Sequence, residues 1–226
     1  MRHPHGLRSA AAAGLPAIGA AYEGGFFAGL ISNTANSVAT HALIVAPAAT
    51  GASGTGYPIA TALRWANIGI SPSINSQYDG LANVSAPDFQ LSNNPAALFC
   101  SDLITGGYTD WYLPATYELQ IAYENLKPTT ALNSADTGNP YSVPIRTIAR
   151  SASGAPFQTS LAAFQSGGAE AFTANAHWSS SVVFSAFNNC PEVVAMDAGT
   201  ISLVPVQSAK QVKVTANVRA FRKIAV

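Results

Sequence analysis

Two carboxylic acids near the middle of the chain are the first residues whose spacing could support catalysis. Asp110 and Glu118 flank the sequence WYLPATY. A hydrolase that cleaves glycans needs two carboxyl groups about 5 to 10 Å apart, one of which acts as general acid. The alternative is structural, because an aspartate accepts hydrogen bonds at turns and a glutamate suits the first turn of a helix. We favour the structural interpretation and predict no catalytic residue.

A histidine followed by serines offers a second chemical pattern, a nucleophile beside a base. His177 precedes Trp178 and the serines at 179–181, but the sequence lacks the G-x-S-x-G motif of a nucleophile elbow. Because neighbouring residues of a strand point to opposite faces, we expect Trp178 in the core and His177 at the surface.

Two arginines close to the end of the chain, Arg219 and Arg222, could clamp the carboxylate of a ligand. We favour the alternative that one of them pairs with Asp110 or Glu118. Such a pair would fix the last strand to the middle of the chain.

The cysteines and histidines give no pattern of a metal centre. The chain has 2 cysteines, Cys100 and Cys190, without a C-x-x-C neighbour, and 4 histidines that do not cluster with them. It also lacks the dense group of acidic and amide side chains that calcium requires. We expect no metal and no cofactor. The cysteines are interpreted as buried thiols, with a disulfide or a catalytic thiol as alternatives.

Two helices are predicted in the middle of the chain. In NNPAALFCSDLI the apolar residues recur at helical spacing, Asn94 suits the N-cap, Pro95 suits the first turn, and the glycines at 106–107 suit the end. A second helix is predicted to begin after Pro114 and to end at the KP pair at 127–128.

Short apolar runs on both sides of these helices predict strands. GGFFAGLI and HALIVAP are typical of a hairpin, and HWSSSVV, EVVAMDAG, TISLVPV and KVTANVRAFRKI predict four later strands. The polar stretches at 51–92 and 129–170 predict loops. This order predicts an α+β domain in which the first and last strands can pair.

The composition limits the classes of partner. The chain has 226 residues, of which 11 are basic and 11 acidic, so it lacks the cationic surface that nucleic-acid binding requires. Only 10% of the residues are charged, which is typical of extracellular or virion proteins.

No apolar run reaches the roughly 18 residues of a transmembrane helix, so we predict no membrane insertion. Residues 1–21 are predicted to form a basic arm that anchors the domain at 22–226 to other virion proteins. The alternative is a secretory signal, which these residues weakly resemble.

The sequence FCSDLITGGYTDWYLPATYEL, followed by HWSSS and the closing VRAFR, resembles the Lcl C-terminal-domain family, which is named for a collagen-like bacterial adhesin. The matching motifs lie within residues 99–222. The resemblance implies a C-type-lectin-like fold with two helices, a small mixed sheet and long loops. It also implies that Trp111 is the centre of the core, while Pro114 holds Leu113 extended.

Two residues depart from the family's pattern where the second helix begins. Tyr112 stands where relatives have an arginine, which removes a charge that could bind a carboxylate. Ala115 stands where they have a threonine, so Glu118 loses the hydroxyl half of a capping box, and Thr116 is the alternative cap.

The resemblance, together with the likeness of the GGFFAGLI and HALIVAP stretches to those of tail-associated bacteriophage proteins, implies a non-enzymatic bacteriophage virion protein, of the tail-fibre or tail-tip type, that recognises a host-surface glycan or protein receptor. The resemblance implies a homotrimer. The alternatives are a structural subunit that decorates or assembles the particle, a secreted bacterial adhesin and a glycan-processing enzyme.

The loop after HWSSS is the predicted ligand-binding surface, because it combines aromatic rings with amides. The predicted binding residues are Phe184, Phe187, Asn188 and Asn189. The alternative for the two phenylalanines is burial in the core.

Overall fold

The computed structural model describes residues 14–53, 75–133, 137–148, 155–184, 189–204 and 215–226. The fold is α+β, as predicted, and strands outnumber helices in the described residues. The α-helices there are α1 (Ala48–Gly51), α2 (Gly80–Val84), α3 (Pro95–Ser101) and α4 (Thr116–Leu126). The strands there are β1 (Ala21–Tyr22), β2 (Gly25–Ile31), β3 (His41–Val45), β4 (Thr137–Asn139), β5 (Ser142–Val143), β6 (Arg146–Ile148), β7 (Ala176–Phe184), β8 (Asn189–Ala195), β9 (Ile201–Leu203) and β10 (Phe221–Ala225).

The largest sheet joins the beginning of the chain to its end. Its strands lie in the order β1, β2, β3, β10, and β5 also pairs with β2. The predicted hairpin is confirmed, since β2 and β3 are antiparallel with Phe26 opposite Val45. On the other side of β3, Phe221 lies opposite the same valine. The predicted pairing of N-terminal and C-terminal strands is therefore confirmed.

Two smaller sheets complete the strand content of the described residues. One contains β7, β8 and β9 in that order, and the other pairs β4 with β6. All of the strand ladders in the described parts of the chain are antiparallel, whereas the resemblance implied one small mixed sheet. The one parallel contact there is an isolated bridge between His177 and Asn217.

The first predicted helix, α3, is shorter than the sequence suggested. Pro95 occupies its first turn as predicted, but the helix ends at Ser101, well before the glycines. Asn94 occupies the N-cap position without capping, because its Nδ2 donates to the carbonyl of Gln90 (2.8 Å). The expected cap is therefore wrong, and the amide instead closes the preceding turn.

The glycine pair at 106–107 forms a tight turn rather than a helix end. Gly106 and Gly107 have φ of 61° and 84°, and Thr105 and Tyr108 exchange two backbone hydrogen bonds (3.2 and 3.0 Å) across them. A Cβ on Gly106 would lie 2.3 Å from the Cα of Gly24. Glycine is required here because this turn packs directly against the turn between β1 and β2.

The second predicted helix, α4, begins after Pro114 as predicted and is buried on nearly all sides. Its predicted apolar face, which includes Leu119 and Leu126, is fully buried. The opposite side is also covered, because β2 packs against one side of the helix and β7 and β8 against another. Full burial of each leucine side chain stabilises the fold by about 1.5–3 kcal/mol.

Two adjoining hydrophobic clusters make up the core. Trp111 (2% exposed) and Trp178 (0% exposed) lie in the first, and Tyr112 lies in the second with residues of α4. Leu113 also lies in the first cluster, and the adjacent Pro114 is buried. The burial predicted for both tryptophans is confirmed, and removal of either ring would cost about 3–5 kcal/mol.

The two cysteines are buried thiols. Cys100 and Cys190, both within the described residues, are not joined by a disulfide, so the disulfide alternative is wrong. Burial raises the pKa of the Cys100 thiol well above its usual value, which keeps it protonated and unreactive.

The first 13 residues of the predicted arm lie outside the described residues, and the rest of it joins the main sheet. Gly19 N donates to Phe27 O (2.8 Å), and Phe27 N donates to Ala20 O (3.0 Å). The predicted boundary between residues 21 and 22 falls inside β1. The anchoring role of the arm stays a prediction. Among the described helices, each is too short or too polar to cross a lipid bilayer.

Candidate functional site

Three tyrosines line an open surface depression with a volume of about 650 Å³. We call Tyr78, Tyr117 and Tyr141 the tyrosine platform. Each ring is half-buried, so each presents part of its surface to solvent. The remaining lining residues are uncharged: Asn75, Ser76, Gln77 and Pro140. Such a combination of aromatic surface and a few polar groups is typical of a ligand-binding depression.

The platform rings form a continuous stack. The Tyr78 and Tyr141 rings are 4.2 Å apart between centroids and inclined by 17°, and the Tyr117 and Tyr141 rings are 5.4 Å apart and inclined by 30°. None of the three hydroxyl groups donates to or accepts from another described residue. Burial and the nearby negative charge of Glu192 raise the pKa of Tyr117, which keeps this phenol neutral. The platform therefore offers hydroxyl groups beside aromatic surface.

A buried asparagine fixes two of the platform residues to each other. Asn139 is fully buried, its Nδ2 donates to Tyr117 O (2.9 Å), and its Oδ1 accepts from Tyr141 N (3.0 Å). Tyr117 N in turn donates to Gln77 O (2.8 Å), in the segment that carries Tyr78. The three tyrosine backbones are thus joined through hydrogen bonds, although they are far apart in sequence.

A second buried asparagine holds the segment at 75–78. Asn83 Oδ1 accepts from Ser76 N (2.6 Å), and Asn83 Nδ2 donates to Ser76 O (2.7 Å). The same Nδ2 lies 3.1 Å from Ser180 Oγ, on β7. Asn75 also binds β7, because its Oδ1 accepts from Val182 N (2.7 Å) and its Nδ2 donates to Val182 O. The Ser181 hydroxyl of β7 also donates to Ser76 O (2.9 Å), so the segment is attached to β7 through several hydrogen bonds.

A fully buried carboxyl group lies beneath this segment. Glu118 Oε2 accepts from Ala115 N (2.7 Å) and Gly80 N (3.1 Å), and Oε1 accepts from the Tyr112 hydroxyl (2.8 Å). Burial raises its pKa to about 7, although these hydrogen bonds and Lys223 oppose the rise. The carboxyl thus links α2 to α4.

The two departures from the family pattern have structural compensation. The Tyr112 hydroxyl donates to Glu118, so a phenol makes the contact to a carboxylate that an arginine of the Lcl pattern could make. Ala115 keeps the backbone half of the capping box through its N–H. The expectation that Thr116 caps the helix is wrong, because its hydroxyl donates to Glu192 Oε2 (2.6 Å).

Asp110 and Glu118 occupy different environments. The Asp110 side chain is 53% exposed and accepts from Arg222 Nε, while Glu118 has no exposed surface. A catalytic pair needs both carboxyl groups at one accessible place. The geometry gives no support for that alternative and agrees with the structural interpretation.

Arg222 fastens the last strand to two turns. Besides binding Asp110, its Nη1 donates to Glu23 O (2.9 Å), and its guanidinium lies 3.7 Å from the centroid of the Tyr108 ring. Tyr108 OH donates to Glu23 Oε2. The predicted pair between an arginine and Asp110 is confirmed, and it connects β10 with the β1–β2 turn and the glycine turn.

Arg219 has a partner that the sequence did not indicate. It is 1% exposed, its Nη2 forms an ion pair with Glu170 Oε2 (2.9 Å), and its Nε donates to Ala46 O (2.7 Å). The same Glu170 oxygen accepts from Ala48 N (2.7 Å). This arginine is therefore a structural residue inside the protein and is not available to clamp a ligand.

The expected exposure of His177 is wrong. The side chain is 2% exposed because both faces of β7 are covered, and its ring meets the Phe172 ring edge-on at 5.5 Å. Nδ1 lies 3.0 Å from Asn175 O. Burial lowers the pKa of His177 to about 4, and the nearby charge of Arg219 adds to this, so the imidazole is neutral at pH 7.

The predicted ligand-binding loop lies mostly outside the described residues. This is so for Phe187 and Asn188, whereas Phe184 ends β7 and Asn189 begins β8, where their backbones pair. Since Val182 binds Asn75, this end of β7 lies beside the segment that carries Tyr78. Ligand binding by the loop stays a prediction.

Sequence reasoning missed the tyrosine platform. Its members lie in a loop, a helix and a turn, so no periodicity joins them. The available signal is compositional, because NSQY and GNPY each place a tyrosine beside amide or hydroxyl residues.

The described residues contain no group of three or more histidine, cysteine, aspartate or glutamate side chains that could hold a metal ion. Comparison of the chain with models of known protein families gives no match. Comparison with curated proteins gives no match either. The sequence motifs at 99–222 and the geometry of the tyrosine platform are therefore the observations on which a function is argued.

Proposed function

We propose that this chain is a non-enzymatic bacteriophage virion protein, of the tail-fibre or tail-tip type, that recognises a receptor on the host surface. Its domain is of the C-type-lectin-like class, and residues 1–21 attach it to other virion proteins in a homotrimer. The observation that carries the proposal is the tyrosine platform, an uncharged aromatic depression held on buried supports. The family motifs at 99–222 support the same class of protein.

Rigid placement of the platform supports recognition rather than loose contact. Asn139, Asn83 and Glu118 are fully buried, and each binds backbone groups of the platform or of the segment beside it. A binding surface that is ordered before the ligand arrives loses less conformational entropy on association. The architecture therefore suits a protein that binds a surface and leaves it chemically unchanged.

The proposal is tested with the purified full chain and a panel of bacterial strains. Fluorescently labelled protein should bind a subset of strains in a saturable way, and excess unlabelled protein should displace it. A heat-unfolded sample is the control for nonspecific adhesion. Failure to bind any strain saturably would contradict receptor recognition.

One observation favours the alternative of a particle-decorating or assembly subunit. Leu132 and Phe157 are 59% and 66% exposed, and they flank the buried contact between Asn133 and Pro156. Exposed large apolar side chains of this kind suit contacts between proteins. The alternative predicts that replacing both with serine prevents incorporation into particles while binding to bacterial strains persists.

A further inference from the structure

We propose that the tyrosine platform is the binding site for a neutral pyranose unit of a glycan, with the Gln77 amide as its hydrogen-bonding partner. This assignment rests on the proposed recognition function and names its ligand class. Three observations carry it: the uncharged lining, the arrangement of the rings and the polar groups beside them.

The lining favours a ligand without charge. The depression is bounded by hydroxyl, amide and aromatic groups and by one proline. Asp79, next to Tyr78, is already paired with Lys223 (2.6 Å). The negative charge of Glu192 acts on Tyr117, so an anionic sugar would meet repulsion there. Uronic, sialylated and sulfated glycans are therefore disfavoured.

The arrangement of the rings favours a sugar over a proline-rich peptide. Polyproline ligands insert their rings into slots between separated aromatic side chains. In the platform, the Tyr78 and Tyr141 centroids are only 4.2 Å apart, so these rings are already in contact and leave no slot. A pyranose instead packs on one free ring face, because its C–H groups carry partial positive charge and meet the negative face of a ring. Tyr141 is the ring that the other two share, so the faces that remain for a sugar are the outer faces of the end rings, Tyr78 and Tyr117.

The polar groups complete the site. The platform hydroxyls and the Gln77 amide make no hydrogen bond to other described residues, and they adjoin the rings. These groups can donate hydrogen bonds to the hydroxyls of a bound sugar and can accept hydrogen bonds from them. Ser76 and Asn75 differ, because they already bind the backbone at Tyr78 and Val182 and act as supports.

The test begins with the full chain on a glycan array that carries neutral hexose, pentose and N-acetylhexosamine chains beside sialylated, uronic and sulfated ones. Binding should be confined to neutral glycans. Titration calorimetry with the strongest neutral glycan should give an affinity that about 0.5 M NaCl leaves unchanged, because no ion pair is involved.

Variants locate the site. Tyr117→Ala, which removes an end ring of the stack, should weaken binding about tenfold or more, whereas Tyr117→Phe, which keeps the ring, should stay within about threefold. Gln77→Ala, which removes no side-chain hydrogen bond to another described residue, should weaken binding about threefold to tenfold. Phe157→Ala is the matched control, since it removes an exposed ring beyond the far end of α4, roughly 15 Å from Tyr117. Thermal unfolding of each variant checks its folding, and Gln77→Ala decides the matter if Tyr117→Ala unfolds.

Each outcome has a defined meaning. Binding confined to anionic glycans, no glycan binding, tighter binding of a decaproline peptide, or unchanged affinity in Gln77→Ala and Tyr117→Ala would overturn the assignment. If strain binding persists in these two variants, receptor recognition stands and the platform is not its site. Loss of both strain and glycan binding in them, with Phe157→Ala unaffected, supports both proposals.

Discussion

The buried carboxyl of Glu118 should make the stability of the protein fall as pH rises. Its pKa in the folded protein is about 7, compared with 4.5 for an exposed glutamate. Between these values the folded protein holds a proton that the unfolded chain has released. The stabilisation is therefore complete below pH 4.5 and is lost as pH rises through 7. Between pH 5 and pH 7 the loss is roughly 2 kcal/mol of unfolding free energy.

His177 acts in the opposite direction over nearly the same interval. Its pKa is about 4 in the folded protein and 6.5 when exposed. Between these values only the unfolded chain binds the proton, so stability is lost as pH falls from 6.5 through 4. Between pH 5 and pH 7 this amounts to roughly 2 kcal/mol in the opposite sense. The two groups should nearly cancel in the natural protein.

Substitution of either residue should expose the contribution of the other. Glu118→Gln keeps an oxygen for the N–H groups of Ala115 and Gly80 and leaves an amide facing Tyr112, so it resembles the protonated carboxyl. Its stability should rise by roughly 2 kcal/mol from pH 5 to pH 7, while that of His177→Gln should fall by a similar amount.

The assay is urea unfolding followed by tryptophan fluorescence at pH 5, 6, 7 and 8, because Trp111 and Trp178 are buried and report loss of the core. The double variant Glu118→Gln with His177→Gln is the control and should show neither slope. Parallel pH profiles for the natural protein and both single variants would refute the reasoning.

Three further predictions concern the supports of the fold. Gly80→Ala should lower the unfolding free energy by about 2 kcal/mol or more in urea titrations, because its Cβ would lie 2.6 Å from Ala115 N; an unchanged midpoint would contradict this packing. Glu170→Ala should lower the unfolding free energy by about 3–5 kcal/mol, because it leaves the buried charge of Arg219 unpaired. The double variant Glu170→Ala with Arg219→Met, which has no unpaired buried charge, should recover part of that loss. Comparing the melting temperatures of the single and double variants shows whether the two effects are coupled or additive. Dithiothreitol should leave the melting temperature unchanged, and iodoacetamide should label Cys100 only after unfolding, as mass spectrometry would show.

The sequence predicted those parts of the fold that depend on local pattern. The hairpin at 25–45 and the start of α4 after Pro114 follow from apolar periodicity and from a proline that excludes helix before it. The burial of Trp111 was implied by the resemblance to the Lcl pattern and not by periodicity. The pairing of β3 with β10 followed from the order of elements. These features have causes that lie within a few residues or in the overall topology.

Other features depend on contacts between distant segments, which local pattern does not contain. On the face of β7 that alternation assigned to solvent, the Phe172 ring packs against His177, and Arg219 lies over the Phe172 ring. Glu170, which pairs with Arg219, lies in an irregular stretch that has no helical or strand periodicity. The tyrosine platform arises because Asn139 joins two segments 24 residues apart, and no spacing rule links Tyr117 to Tyr141.

The position of β10 makes residues 216–225 a condition for folding. Residues 216–225 supply core side chains and the strand beside β3, and Arg222 fastens the two turns. A nascent chain that stops at residue 215 contains most of the sequence, but the edge of β3 that pairs with β10 has no partner strand. Truncated translation products should therefore fail to mature, and a separate peptide of residues 216–226 added to them should restore the closed molecule.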